Sequence, residues 1–164
     1  MTLTNWKTPM SPRSLIAILL FVSSAAAIGA EHEHRFVQKI ALKPGLVAVV
    51  AEGDMEARSI GSYTVRTYSN PEGKHANDTT FYSSGLVRKR DGTIESVALA
   101  RVDKRSPPAL VVVFRSAGSG GYLAADAFAI TGNKVVFRGT VKGLPPDADP
   151  VAALRRALSG KHKK

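Results

Sequence analysis

The sequence has 164 residues, a formal net charge of +10 and no cysteine. Without cysteine the chain cannot form a disulfide, and it cannot be anchored as a lipoprotein through a cysteine. The positive charge predicts attraction to polyanions. The basic residues are nevertheless spread along the chain, and aromatic residues are not interleaved with them as they are in base-stacking surfaces. We therefore predict no nucleic-acid partner.

Residues 1–30 are typical of an export signal. Lys7 and Arg13 precede an apolar run at residues 14–22, and small residues suited to a signal peptidase follow. The apolar run is shorter than the roughly 20 residues that cross a bilayer. We predict a cleaved signal peptide that ends at residue 30. Residues 31–164 then form one periplasmic domain with a charge of about +8, because the leader holds two basic residues and no acidic one.

Short strand-like runs alternate with turn residues over the predicted domain, which is typical of an all-β fold. Alternation in residues 61–68 puts Tyr63, Val65 and Thr67 on one face. Residues 109–114 are apolar throughout, which predicts a central strand buried on both faces. Eight segments read as strands: residues 35–42, 46–51, 61–68, 79–89, 93–102, 109–114, 122–130 and 134–141.

Local signals also predict the connections and the end of the domain. Arg90-Asp91-Gly92 lies between two predicted strands, and Asp-Gly in that position indicates a hairpin. Residues 69–78 are polar and rich in turn formers, which predicts an exposed loop. Residues 147–158 predict a short helix with Asp149 as its N-cap and Pro150 in its first position. The predicted fold is an antiparallel β-sandwich, or a flattened barrel, of seven or eight strands with a C-terminal helix.

Residues 116–122, here called the glycine-rich loop, follow the most apolar strand. Three of these seven residues are glycine, which reduces side-chain bulk and widens the accessible backbone conformations. Such a loop is narrow enough to enter a cleft. Its Ser119 and Tyr122 hydroxyls can each donate and accept hydrogen bonds, as a carboxylate partner requires. The alternative is a plain hairpin turn, in which Tyr122 packs on the domain and Ser119 is only solvated.

Three segments stand out: residues 57–66 (ARSIGSYTVR), residues 115–128 (RSAGSGGYLAADAF) and residues 143–151 (GLPPDADPV). Together they resemble one known family, the periplasmic inhibitors of invertebrate-type (I-type) lysozyme. The segments occur in the family's order and extend over the predicted mature chain. The resemblance implies a β-sandwich, a homodimer and an I-type lysozyme as partner.

The resemblance also implies which residues bind the enzyme. In the family, a loop ending in Ser-Gly-Gly-Tyr enters the lysozyme's active-site cleft, where its serine and tyrosine hydrogen-bond the catalytic residues. Those roles fall on Ser119 and Tyr122, and Gly120 and Gly121 keep the loop slim. Whether residues 58 and 59, Arg and Ser, contact the enzyme or only support the sheet is left open.

Two features depart from the family pattern. Many lysozymes are basic, so an inhibitor of about +8 would be repelled at long range. Either the target is a less basic lysozyme, or the acidic residues Glu52, Asp54 and Glu56 lie near the contact surface. In residues 103–107, a lysine and an arginine stand where relatives have a more acidic segment. Calcium needs six or more oxygen ligands, so we predict no metal there.

The remaining motifs favour no enzyme and no cofactor. Ser119 has no histidine after it in the predicted core to act as a base, so we predict no hydrolase. His32 and His34 could bind copper(II) at a processed N-terminus, but a solvated end is the favoured interpretation. Two basic clusters, residues 88–90 and 161–164, support an alternative function. In that alternative the protein binds an anionic glycan, lipopolysaccharide or a membrane surface weakly through its charge.

Overall fold

The computed structural model describes residues 35–69 and 81–159, and in these ranges the chain forms two antiparallel sheets and one helix. Each sheet has four strands in chain order. The first sheet contains β1 (Val37–Lys43), β2 (Leu46–Glu52), β3 (Ile60–Ser69) and β4 (Phe81–Asp91). The second contains β5 (Thr93–Ala100), β6 (Ala109–Arg115), β7 (Leu123–Thr131) and β8 (Lys134–Leu144), and helix α1 (Pro150–Ser159) follows. The sheets do not close into a barrel, so the predicted β-sandwich is confirmed.

Several sequence predictions concern residues outside the described ranges. They are the signal peptide at residues 1–30, the copper site at His32 and His34, most of the polar loop at residues 69–78, and the basic tail at residues 161–164. Within the described residues, no helix is long and apolar enough to cross a membrane.

The main core lies between the two sheets. Strict alternation along β2 buries Leu46, Ala48 and Val50. On β3, the residues of the predicted inward face, Tyr63, Val65 and Thr67, are fully buried, so that prediction is confirmed. The Tyr63 ring lies 5.0 Å from that of Phe114, centroid to centroid, in a tilted arrangement that favours aromatic pairs.

A second core lies on the other face of the second sheet, under the helix. Strand β6 is central in its sheet and buried on both faces, as its apolar run predicts. Its Val111 packs in one cluster with Leu154 and Leu158 of α1, and each such leucine contributes roughly 1.5–3 kcal/mol by burial. The Asp149 carboxylate accepts hydrogen bonds from the amides of residues 151 and 152, at 2.9 and 3.0 Å, so the predicted N-cap is confirmed.

The hairpin predicted at Arg90-Asp91-Gly92 is wrong. Strands β4 and β5 belong to different sheets, and residues 91–93 form a corner where the chain passes between them. Gly92 has φ +98, and a β-carbon on it would lie 2.0 Å from the Arg115 carbonyl oxygen. The positive φ that Asp-Gly favours is therefore used, but for a close backbone crossing between sheets instead of a two-residue turn.

A buried polar group joins the two sheets. The Tyr63 hydroxyl donates to the Asp126 carboxylate at 2.5 Å, and Arg88 Nε donates to the same oxygen at 2.9 Å. Arg88 also lies over the Phe137 ring, 3.6 Å from its centroid. Burial and, after it, the charge of Asp126 raise the pKa of Tyr63 far above its ordinary value, so the phenol stays protonated and donates.

Candidate functional site

The glycine-rich loop is exposed at its tip and closed at its base. The Ser116 amide donates to the Tyr122 carbonyl at 2.9 Å, which joins the two ends of the loop. The Gly121 amide donates to the Gly118 carbonyl at 3.0 Å and forms a tight turn at the tip. Ser119 is exposed, and Tyr122 keeps 55% of its surface accessible. The loop therefore presents both predicted hydroxyl residues to solvent, and Tyr122 is not packed into the domain.

Glycine is favoured at both central positions of the loop, for different reasons. Gly121 has φ +54, in the left-handed region that other residues adopt at a cost. A β-carbon on Gly120 would lie 2.4 Å from Cε2 of Tyr122, so the tyrosine ring lies directly beside this backbone. A larger residue at position 120 would have to displace the ring.

An ion pair beside the loop fixes the position of Gly121 in the loop. The sequence alone did not predict this pair. Arg115 binds Glu95 through two nitrogens, with Nε–Oε2 at 2.7 Å and Nη2–Oε1 at 2.8 Å. Its third nitrogen donates to the Gly121 carbonyl at 3.1 Å. A forked guanidinium suits this bidentate geometry. Glu95 lies in a bulge of β5, between Ile94 and Ser96, which interrupts the regular pairing with β6.

Residues 53–60, here called the neighbouring segment, lie beside the glycine-rich loop. The Gly92 amide donates to the Ser59 carbonyl at 2.7 Å, while the Gly92 backbone packs against residues 115 and 116. One glycine thus separates the neighbouring segment from the base of the glycine-rich loop. Arg58 and Ser59 therefore lie close to that base. The sequence alone could not predict this position.

Arg90 holds the neighbouring segment from below. Its guanidinium is buried and donates to four backbone carbonyls: those of Ala57 (3.0 Å), Arg58 (2.7 Å), Ser62 (3.1 Å) and Gly92 (2.7 Å). Glu56 accepts hydrogen bonds from the amide and the hydroxyl of Ser62. These two bonds, and the nearby charge of Arg90, lower the pKa of the Glu56 carboxyl below its ordinary value, so it is ionised at neutral pH.

The predicted basic cluster at Arg88, Lys89 and Arg90 is wrong as an exposed patch. Alternation along β4 points Arg88 and Arg90 inward, where they bind Asp126 and backbone carbonyls, and it leaves only Lys89 exposed. The acidic residues Glu52, Asp54 and Glu56 also do not form one exposed cluster. Glu52 is buried and accepts the Ile94 amide at 2.7 Å, so it supports the fold and cannot face a partner.

Residues 103–107, for which we predict no metal, form hydrogen bonds among themselves. The Asp103 carboxylate accepts the Arg105 amide and the Ser106 hydroxyl, both at 2.9 Å, which is a local turn of the kind that Asp favours. In residues 35–69 and 81–159, no group of three or more His, Asp or Glu side chains is placed to hold a metal ion.

Comparison with known proteins agrees with this architecture. The family model described as periplasmic lysozyme inhibitor of I-type lysozyme matches residues 34–158. Two solved structures, both of the Aeromonas hydrophila inhibitor of I-type lysozyme, are 38% identical to the chain and cover 73% of it with a TM-score of 0.63. One is the inhibitor itself, covered over 98% of its length, and the other is its complex with Meretrix lusoria lysozyme, covered over 95%.

No curated protein sequence matches the chain significantly. The family match contains all three segments on which the sequence resemblance was based, and the relatives are inhibitors, so the prediction that the chain is not an enzyme is confirmed. The family's description also implies a periplasmic location. The chain belongs to the family of periplasmic lysozyme inhibitors of I-type lysozyme.

Proposed function

We propose that this protein inhibits an I-type lysozyme by inserting the glycine-rich loop into the enzyme's active-site cleft. Ser119 and Tyr122 hydrogen-bond the catalytic carboxyls there, and Gly120 and Gly121 allow the loop to fit. The observation that carries the proposal is a loop whose base is closed by its own hydrogen bond while Ser119 and Tyr122 remain exposed. The complex of the Aeromonas hydrophila relative with a Meretrix lusoria lysozyme supports the choice of partner.

The chemistry of glycoside hydrolysis explains why two hydroxyls suffice. Glycosidases use a pair of carboxyl groups, one as acid and one as base or nucleophile. A hydroxyl on each carboxyl replaces the water that is lost when the cleft is filled, and an unreplaced bond would cost about 1–3 kcal/mol. Tyr122 adds a large, half-exposed ring, and aromatic residues of this kind commonly supply much of the binding energy. The peptide loop is not a substrate, so it is not consumed.

The fixed shape of the loop favours tight binding. A flexible loop would lose conformational freedom on entering the cleft, which reduces affinity. Here the 116–122 bond closes the base, and Arg115 holds the Gly121 carbonyl while Glu95 holds Arg115. Arg115 and Glu95 are therefore positioning residues: they hold the loop and need not touch the enzyme.

Three further properties belong to the same proposal. The chain is exported and cleaved after residue 30, it forms a homodimer, and its basic surface makes at most a weak contact with anionic membranes or lipopolysaccharide. The alternative of a glycan- or lipopolysaccharide-binding module has lost its main feature, because Arg88 and Arg90 bind inside the sandwich. Mass spectrometry of the secreted protein and light scattering in solution test processing and dimerisation.

Variants of the two hydroxyl residues test the mechanism. Ser119→Ala and Tyr122→Ala should each raise the inhibition constant against an I-type lysozyme about 5- to 150-fold, which corresponds to about 1–3 kcal/mol. Tyr82→Ala is the matched control, because Tyr82 is also exposed (63%) but lies on β4, away from the loop. Chicken-type and goose-type lysozymes should not be inhibited. An unchanged inhibition constant for the Ser119→Ala/Tyr122→Ala double variant would remove the loop from the mechanism.

A further inference from the structure

We propose that the neighbouring segment is a second contact with the lysozyme, in which Met55 and Ile60 pack on the rim of the enzyme's cleft. This inference rests on the proposed function, because it requires the glycine-rich loop to enter that cleft. It adds a second element to the binding surface and assigns a role to two exposed apolar side chains that the loop mechanism does not use.

The first argument is continuity of the surface. Ser59 and Ser116 flank Gly92: the Ser59 carbonyl accepts the Gly92 amide at 2.7 Å, and a β-carbon on Gly92 would lie 2.9 Å from Cα of Ser116. Strand register gives the same placement. Ile60 pairs with Asp91 at one side of the corner, and Thr93 pairs with Arg115 at the other. A partner that covers the base of the glycine-rich loop therefore meets the neighbouring segment as well.

The second argument is the exposure of apolar side chains on a held backbone. Met55 is fully exposed, at 101%, and Ile60 is 65% exposed. A single exposed apolar residue needs no explanation, but here two lie in one segment, and the backbone of that segment meets the base of the glycine-rich loop at Gly92. Methionine and aromatic residues are enriched in the centres of protein interfaces. The segment thus offers two apolar side chains to a partner that binds at the glycine-rich loop.

The backbone of the segment is fixed by hydrogen bonds, which suits a contact surface. Arg90 binds two of its carbonyls from below, and Glu56 is fixed on Ser62. Met55 has φ +58, an uncommon conformation for a residue with a side chain, and its amide is bound by the Asp54 carboxylate at 3.1 Å. Uncommon backbone conformations of this kind concentrate at functional sites.

Local charge fits the same partner. The segment carries two carboxylates and one guanidinium, so its own side chains are net acidic, whereas the rest of the predicted mature chain is strongly basic. The buried Arg90 guanidinium, 3.9 Å from Glu56, offsets part of the Glu56 charge. Glu56 stays ionised because the Ser62 bonds lower its pKa. An acidic segment beside the loop reduces the long-range repulsion from a cationic lysozyme at the surface that must approach it, and complementary charge mainly raises the association rate. The expected contact on the enzyme is an apolar rim bordered by basic side chains.

Substitutions that keep the fold test this contact. Met55→Ala removes an exposed side chain, and Ile60→Thr keeps the β-branched shape that strands favour while it adds a hydroxyl. Val87→Thr is the matched control, because Val87 is 71% exposed on β4 and receives the same type of change. The mature full-length protein and its variants are measured against Meretrix lusoria lysozyme, for both inhibition and binding kinetics.

The expected result is an inhibition constant raised at least tenfold in the Met55→Ala/Ile60→Thr double variant, mainly through faster dissociation. Val87→Thr should stay within twofold of the wild type, and urea unfolding of all variants should agree with the wild type. If the double variant inhibits as well as the wild type while Tyr122→Ala loses inhibition, the second contact is refuted and the loop mechanism stands. If Tyr122→Ala also inhibits normally, or the wild type does not inhibit, both proposals fail.

Discussion

Replacing Arg90 by methionine should destabilise the protein more than any other single change on β4. The Arg90 side chain is only 2% exposed and donates to four backbone carbonyls, two of them in the neighbouring segment. Methionine fills similar space but donates nothing, so these carbonyls lose their partner while Glu52, 3.9 Å away, loses a countercharge. Removing one partner of a buried charged network costs about 3–5 kcal/mol.

The cost can be compared with the whole stability of a domain. Total stabilities are about 5–15 kcal/mol, so Arg90→Met should remove a third or more of a typical value. At about 3–4 °C for each kcal/mol in a domain of this size, the melting temperature should fall by roughly 10–20 °C. The part of the loss that belongs to Ala57 and Arg58 is the smallest, because water can reach those exposed residues.

Urea unfolding at 25 °C, followed by circular dichroism, measures the effect as a lower midpoint with an unchanged slope. Lys89→Met is the matched control: it changes the adjacent, exposed residue of the same strand in the same way and should stay within about 0.5 kcal/mol of the wild type. Equal losses in the two variants would show that Arg90 does not support the corner and the neighbouring segment.

Two further changes test the corner and the polar link between the sheets. Gly92→Ala should lower the free energy of unfolding by more than the roughly 1–2 kcal/mol of a left-handed residue, because its β-carbon would overlap the Arg115 carbonyl. Gly132→Ala is the control: Gly132 has φ +62 and open space around it, so this change should cost only that amount. Equal melting temperatures of the two variants would contradict the crossing geometry. Tyr63→Phe should cost about 1–3 kcal/mol in urea unfolding, because Asp126 loses a buried donor; a neutral substitution would mean that water replaces the hydroxyl.

The strands and the helix could be predicted because their signals are local. Alternation gave the inward face of β3, an unbroken apolar run gave the central strand β6, and Asp149-Pro150 gave the start of the helix. Each signal depends on a few neighbouring residues and on water. The pairing of strands does not. Asp-Gly fixes a positive φ at Gly92, but whether the chain then turns back or crosses to the other sheet depends on Arg115, which is distant in sequence.

For the site as well, some features could be predicted from the sequence and others could not. The composition of the loop left Tyr122 either exposed or packed on the domain, and only the family resemblance favoured its exposure. The Arg115–Glu95 pair depends on a bulge that no local signal indicated. The exposed patch predicted at residues 88–90 is wrong for another reason. A period of two should have separated Lys89 from its neighbours, but charged residues are seldom buried, and the partners that permit it here, such as Asp126, lie on another strand.

The Gly92 corner connects the stability of the sandwich with its proposed contact surface. Arg90 binds the corner and the neighbouring segment together, and the glycine-rich loop begins where the corner packs on residue 115. Changes at Arg90 or Gly92 should therefore weaken both stability and inhibition, since they displace both elements at once. Changes at Met55 or Tyr122 should weaken inhibition alone, because these side chains are exposed and support nothing in the fold. The loop that we propose as the inhibiting element can keep its shape only if the fold holds its base, and this corner does so together with the 116–122 hydrogen bond and the Arg115–Glu95 pair.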